Sequence, residues 1–144
     1  MAWLVTGGAG YIGAHVVRAL QEADMAPVVL DDLSSGIAAF VPDDVPFVRA
    51  NLLERDAVRS TLREHAVEGV IHIAGFKYAG VSVSRPLHTY TQNVSAMVVL
   101  LEELAEQGID KVVFSSSAAT YGTPDVDLVT EQTGLHPESP YGES

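Results

Sequence analysis

The sequence predicts an α/β fold with a doubly wound parallel sheet (Rossmann), and three observations predict it. Short apolar runs closed by turn residues recur along the chain, segments with helical spacing separate them, and Gly7, Gly10 and Gly13 form a G-x-x-G-x-x-G pattern at the first run-to-helix junction. A strand that rejoins its sheet in parallel needs a crossover, and a right-handed crossover lays its helix over one sheet face. Strands alternating with helices therefore predict a sheet covered on both sides.

Each element has its own reason. Ala2–Thr6 is an apolar run closed by glycines and reads as a buried strand, and Tyr11–Ala23 then places Ile12, Val16, Val17 and Leu20 at helical spacing. Pro27–Leu30 is a second strand that ends at Asp31 and leads into the polar turn Ser34-Ser35-Gly36, and Pro46–Val48 is a third. Leu53–His65 has helical spacing, with Val58, Leu62 and Ala66 on one side. Gly69–Ile73 is a fourth strand, followed by a glycine-punctuated loop from Ala74 to Arg85. Pro86 opens a long helix that runs to Gln107 and is stopped by Gly108, and Lys111–Ser115 is the fifth strand. Beyond Ser117 the pattern loosens around Pro124, Gly134, Pro137 and Pro140.

Composition narrows the function classes. With 47% hydrophobic and 19% charged residues the chain is globular. Its net charge of −11 repels phosphate backbones and anionic headgroups, so nucleic acid and membrane are not expected as partners. The absence of cysteine removes disulfide and thiolate chemistry. The opening Met-Ala-Trp-Leu-Val-Thr-Gly-Gly has neither the basic region nor the apolar length of a signal peptide, and a cytoplasmic location is expected. His15, His65, His72, His88 and His136 lack metal-type spacing, and no metal is expected.

The glycines carry the first piece of chemistry. A pyrophosphate has to approach the backbone at a helix N-terminus closely enough to accept N–H hydrogen bonds, and a Cβ would block it; the last glycine lets helix and strand pack closely. Asp31, at the end of the second strand, is placed to accept hydrogen bonds from both ribose hydroxyls of an adenosine, and it would repel a 2′-phosphate. No lysine or arginine lies between Asp32 and Ala38, so NAD is expected rather than NADP. No linker divides the chain, and residues 1–144 are expected to form one NAD-binding domain.

Longer motifs then point to a family. Val5 through Gly13, His72-Ile73-Ala74-Gly75-Phe76-Lys77, Asn93-Val94, Phe114 through Gly122 and Ser139-Pro140-Tyr141-Gly142 resemble the extended short-chain dehydrogenase/reductases, and among them the UDP-glucose 4-epimerases. The resemblance spans the whole chain, and its most specific parts are Ala74-Gly75-Phe76-Lys77 and the serine block. The related 4,6-dehydratases carry Thr-Asp-Glu where this chain has Ser117-Ala118-Ala119, which leaves dehydration without its acid and base. A UDP-uronic acid epimerase or decarboxylase, and a non-catalytic NAD-binding or interaction module, stay open as alternatives.

The resemblance implies a set of residue roles. Tyr11 and Ile12 join Gly7, Gly10 and Gly13 at the pyrophosphate; Asp31, Asp32, Ser34, Ser35 and Gly36 surround the adenosine ribose; Asn51 and Leu52 lie beside the adenine. Ile73, Ala74, Gly75, Phe76, Lys77, Asn93, Ser115 and Tyr141 complete the cofactor set, and Lys77, Ser117 and Tyr141 contact the UDP-sugar. Two positions depart from the family pattern: Asn51 stands where Asp is usual, and Asp32 where Asn is commoner. Catalysis falls to Ser117 and Tyr141, which the resemblance implies hold and move the proton of the 4-hydroxyl while the sugar is oxidised by NAD to a 4-keto form and reduced again.

A free tyrosine titrates near about pH 10, so work as a base at neutral pH needs a nearby positive charge, supplied in the family by the lysine of Tyr-x-x-x-Lys. The chain reads Tyr141-Gly142-Glu143-Ser144 and stops inside that motif. On the resemblance it is expected to be truncated before the substrate-binding part, and the 144 residues alone to lack activity. A homodimer through the 86–107 helix is expected, with Leu87, Tyr90, Val94, Met97, Val98, Leu101 and Leu104 on one side and Val99 and Leu100 widening that arc.

Overall fold

A computed structural model describes all residues, Met1–Ser144. The chain divides into two compact units, one of Met1–Gly75 with Ala96–Ser115 and the other of Phe76–Ser95 with Ser116–Ser144.

The first unit carries the predicted sheet. Strands β1 (Ala2–Thr6), β2 (Ala26–Leu30), β3 (Phe47–Val48), β4 (Val67–His72) and β5 (Lys111–Phe114) pair in parallel in the order β3-β2-β1-β4-β5. The order reverses at β1, the switch point at whose strand ends nucleotides bind in doubly wound sheets. Helices α1 (Tyr11–Glu22), α2 (Arg55–Glu64) and α5 (Ala96–Glu106) accompany it.

Successive strand side chains point to opposite sheet faces, and the core follows that period. Leu4, Val28, Leu30 and Val70 pack with Val58 and Leu62 of α2 and Leu100 and Leu104 of α5. Val5 and Val29 pack on the other side with Val17 and Leu20 of α1. Each fully buried Val or Leu contributes about 1.5–3 kcal/mol. Where α2 meets α5, the unexposed carboxylate of Glu103 accepts hydrogen bonds from Arg55 Nη1 at 3.0 Å and from Arg59 Nε and Nη2 at 2.9 Å. Burial pushes Glu103 up, but its two arginines outweigh that and hold it below the ordinary carboxylate value.

The second unit contains no strand. It consists of α3 (Ala79–Ser84), α4 (Pro86–Tyr90), a π-helical turn (Thr91–Ser95), a 3₁₀ turn (Ala118–Tyr121) and α6 (Pro140–Glu143).

Several expectations are corrected. The stretch Ala74 to Arg85 is not all loop, because α3 forms within it. The helix expected from Pro86 to Gln107 is α-helical to Tyr90, π-helical over Thr91–Ser95 and α-helical again to Glu106. Its stop at Gly108 is as expected: Gly108 takes φ +69°, and the N–H groups of Ile109 and Gly108 donate to Leu104 and Ala105, a Schellman cap. Leu87, Val94, Val98 and Leu101 are exposed, while Leu100, Leu104 and Glu103 are buried. Ile12 is 59% exposed, and Ala66 lies past the end of α2 at φ +47°. No helix is long and apolar enough to cross a membrane.

Candidate nucleotide site and catalytic residues

In the first unit the β1–α1 junction is shaped by backbone contact. Gly7 takes φ +72°, and a Cβ there would lie 2.7 Å from the backbone nitrogen of Ala74. A Cβ on Gly13 would lie 2.1 Å from the Gly7 carbonyl oxygen, so alanine at this position cannot coexist with the turn. Gly10 N–H donates to Gly7 O at 3.1 Å and Gly10 caps α1 without a side chain. The first turn of α1 is thus left without a side-chain cap, and uncapped N–H groups at a helix start can receive an anion. Tyr11 and Ile12 stand exposed beside it.

Asp31 ties this loop to the end of β2. Its side chain is buried, with Oδ2 accepting from Ala9 N–H at 3.1 Å and Oδ1 from Leu33 N–H at 2.8 Å. Gly36 approaches so closely that a Cβ there would meet Asp31 Oδ1 at 2.8 Å. Ser34 and Ser35 are exposed in the same turn. Asp32 accepts from Ser34 N–H at 2.8 Å and from Asn51 Nδ2 at 2.7 Å. The Leu52 side chain is buried in the core, so only its backbone is available to a ligand.

The end of β4 is pinned by a buried pair. Thr6 Oγ1 lies 2.8 Å from His72 Nδ1 and also accepts from Ile73 and Ala74 N–H at 3.3 and 3.4 Å. With its lone pairs so used, the Thr6 hydroxyl donates to His72, which assigns the proton of the neutral ring to Nε2. Burial lowers the His72 pKa to about 4, so the ring is neutral at physiological pH. Ser115 N–H donates to His72 O at 3.0 Å, and Gly75 is exposed.

The second unit holds Phe76, Lys77, Asn93, Ser117 and Tyr141. Asn93 reads the Phe76 backbone like a paired strand: Oδ1 accepts from Phe76 N–H at 2.7 Å and Nδ2 donates to Phe76 O at 3.2 Å. The Phe76 ring meets Tyr78 and His88 edge-on at 5.2 and 4.9 Å, and Lys77 is exposed. Ser117 caps the 3₁₀ turn through Ala119 N–H at 3.2 Å and lines a cleft of about 540 Å³ with Ser116, Ala118, Thr120, Tyr121 and Leu135.

Tyr141 sits in the first turn of α6, where unpaired N–H groups need partners. Ser139 caps Gly142 N–H at 3.1 Å, and the fully buried Ser82 accepts from Tyr141 N–H at 3.1 Å while donating to Ala79 O at 2.6 Å. Tyr90 OH donates to Glu143 Oε2 at 2.5 Å, and this bond to the carboxylate raises the Tyr90 pKa. A Cβ on Gly142 would strike the Ala119 carbonyl at 2.5 Å, so α6 lies directly on the turn that Ser117 caps.

Sequence reasoning missed Ser82, whose role depends on a contact 59 positions away in the chain. It also missed α6, although Ser139 before Pro140 is a readable helix start. No group of three or more His, Asp or Glu residues is placed to hold a metal.

The chain is similar in sequence and fold to known proteins. A UDP-glucose 4-epimerase of Bacillus subtilis is 42% identical over the whole chain, which covers 44% of that relative, and one of Azospirillum brasilense is 43% identical over 98% of the chain and 40% of the relative. A UDP-glucose 4-epimerase from Brucella ovis, solved in complex with NAD, superposes with a TM-score of 0.94 at 37% identity over 99% of this chain and 43% of that one. The Thermotoga maritima enzyme, solved with UDP-glucose, gives 0.92 at 34% identity over 99% of this chain and 47% of that one. The chain thus spans less than half the length of these relatives. The sequence matches the family profile across residues 3–144, from the first strand to the tyrosine helix, and the chain belongs to the NAD dependent epimerase/dehydratase family.

Proposed function

We propose that the chain carries the NAD-binding and acid–base portion of a UDP-glucose 4-epimerase. What carries this reading is the presence in one chain of the glycine cradle with buried Asp31 and of the Ser117 and Tyr141 pair. The cradle suits a dinucleotide, because Gly7 and Gly13 pack so closely against neighbouring backbone that neither could carry a Cβ, which brings the turn and the start of α1 together as a pyrophosphate site needs.

Gly7, Gly10, Gly13, Tyr11 and Ile12 would hold the pyrophosphate, Asp31 through Gly36 the adenosine ribose, and Asn51 and the Leu52 backbone the adenine. Asp31 favours NAD over NADP because a second anion beside its carboxylate is repelled. Ile73 through Lys77, Asn93 and Ser115 complete the set. NAD, when bound, would supply the hydride acceptor and donor for C4 of the sugar. Tyr141 takes the proton of the 4-hydroxyl and gives it back, and Ser117 hydrogen-bonds the same hydroxyl as both donor and acceptor. Lys77 contacts the sugar nucleotide.

The 144 residues span less than half the length of the relatives they match, and the polypeptide alone is expected to bind NAD without turnover. A second copy is proposed to cover the exposed apolar residues Val98 and Leu101 of α5, which sedimentation would detect as a dimer.

A chimera tests the function. Residues 1–144 replace the matching segment of the Bacillus subtilis relative, and the product is assayed with UDP-galactose. The expected result is conversion to UDP-glucose, with Tyr141→Phe lowering kcat by about 100-fold or more, a loss in the range of general acid–base effects. A folded, NAD-containing chimera with no turnover contradicts the reading.

A further inference from the structure

The turns that leave β2 and β3 are joined by one side-chain pair. The strands are neighbours in the sheet, with Leu30 opposite Val48, and Asp32 and Asn51 lie just past their carboxyl ends. Asn51 Nδ2 donates to Asp32 Oδ2 at 2.7 Å. Each partner is anchored again: Asp32 Oδ1 accepts from Ser34 N–H at 2.8 Å, Asn51 Oδ1 accepts from Leu53 N–H at 2.9 Å, and Asn51 N–H donates to Glu54 Oε1 at 2.7 Å.

These partners assign the Asn51 amide. Its oxygen faces a donor at Leu53 and its nitrogen faces a carboxylate, and a flipped amide would set like against like at both ends. Burial pushes the Asp32 carboxyl up, but the bonds from Ser34 and Asn51 outweigh that and hold it below the ordinary carboxylate value. The link is therefore a charge-assisted hydrogen bond. The adjacent Asp31 turns to Ala9 and Leu33 instead, so two consecutive acids tie together the exits of β1, β2 and β3.

We propose that Asp32 and Asn51 form a clasp at the adenosine end of the nucleotide site, in which Asp32 is a positioning residue that fixes the Asn51 amide and the turn carrying it. The inference rests on the NAD reading above. An acid and an amide that exchange places keep every bond: the amide at position 32 accepts from Ser34 and donates across, and the carboxylate at position 51 accepts both that donor and Leu53 N–H. A single exchange does not: Asn at position 32 leaves one neutral oxygen to serve both Ser34 N–H and Asn51 Nδ2, and Asp at position 51 sets carboxylate against carboxylate with no donor between them.

The test is titration calorimetry of the 144-residue chain with NAD and with ADP-ribose, alongside thermal melts. Asp32→Asn and Asn51→Asp are each expected to weaken both ligands about tenfold, and the double variant Asp32→Asn/Asn51→Asp to return both to within about twofold of the unaltered chain. Rescue by the reciprocal double is the outcome that a merely structural role does not produce. Unchanged affinity in both single variants overturns the proposal, as does a folded double variant that remains tenfold weak. Should a single variant fail to fold, the double variant decides alone. An unaltered chain that binds neither ligand overturns the NAD reading and the clasp with it.

Discussion

In the unit of Met1–Gly75 with Ala96–Ser115, Leu4, Val5, Val17, Val29 and Val70 are fully buried, and the proposed nucleotide cradle is a backbone feature of the strand ends that this core holds. In the unit of Phe76–Ser95 with Ser116–Ser144 there is no strand, and Tyr141 is kept in place by its N–H donating to Ser82, by Ser144 donating to its carbonyl, by the Ser139 cap on the next N–H at Gly142 and by the close approach at Gly142. One region positions groups by packing and the other by individual polar contacts. Loss of a glycine should therefore be catastrophic in the first, and loss of a hydroxyl graded in the second.

The largest expected effect is at Gly13. Gly13→Ala drives a Cβ into the Gly7 carbonyl, and NAD binding by calorimetry is expected to vanish, with the chain less stable as well. A variant with unaltered affinity would show that packing does not set the cradle.

The next effect reads the buried His72. Its folded pKa of about 4 lies below the ordinary 6.5, so the unfolded chain binds more protons between these values. The contribution is complete above pH 6.5 and falls as the pH drops toward 4, by up to about 3 kcal/mol. Asp32 and Glu103, both held below their ordinary values, lose their contributions at lower pH still, so denaturant melts between pH 6.5 and 4.5 report His72. His72→Gln is expected to flatten that slope, and a slope that survives the substitution contradicts the assignment.

The smallest effect is at Ser82. Ser82→Ala leaves Tyr141 N–H without its acceptor, at a cost of about 1 kcal/mol, and amide exchange at Tyr141 is expected to quicken while Gly7 and Val29 exchange as before. Equal acceleration in both regions would erase the distinction between the units.

Much of the first unit was legible because local rules and the tertiary structure agree there. Apolar runs of strand length, a glycine pattern at a turn and Asp31 after β2 each have a meaning that neighbours in sequence decide. Asp31 also shows the limit: its bonds to Ala9 and Leu33, and the contact that requires Gly36, depend on how β1 and β2 pair. In the second unit the residues were recognised by resemblance, but Ser82 and the short helix over Ala79–Ser84 were not, because their stability comes from distant partners and not from periodicity. The π-helical turn at Thr91–Ser95 was not legible either, and of the expected apolar arc Leu104 is buried while Leu87, Val94, Val98 and Leu101 are exposed.

Titration of the 144-residue chain with NAD and with NADP tests the central claim most directly, because the cradle and Asp31 both lie in it. The account predicts saturable binding of NAD at one site and binding of NADP weaker by about tenfold or more, since Asp31 opposes the added phosphate. Equal affinity for the two, or no binding of NAD by a folded chain, would contradict it.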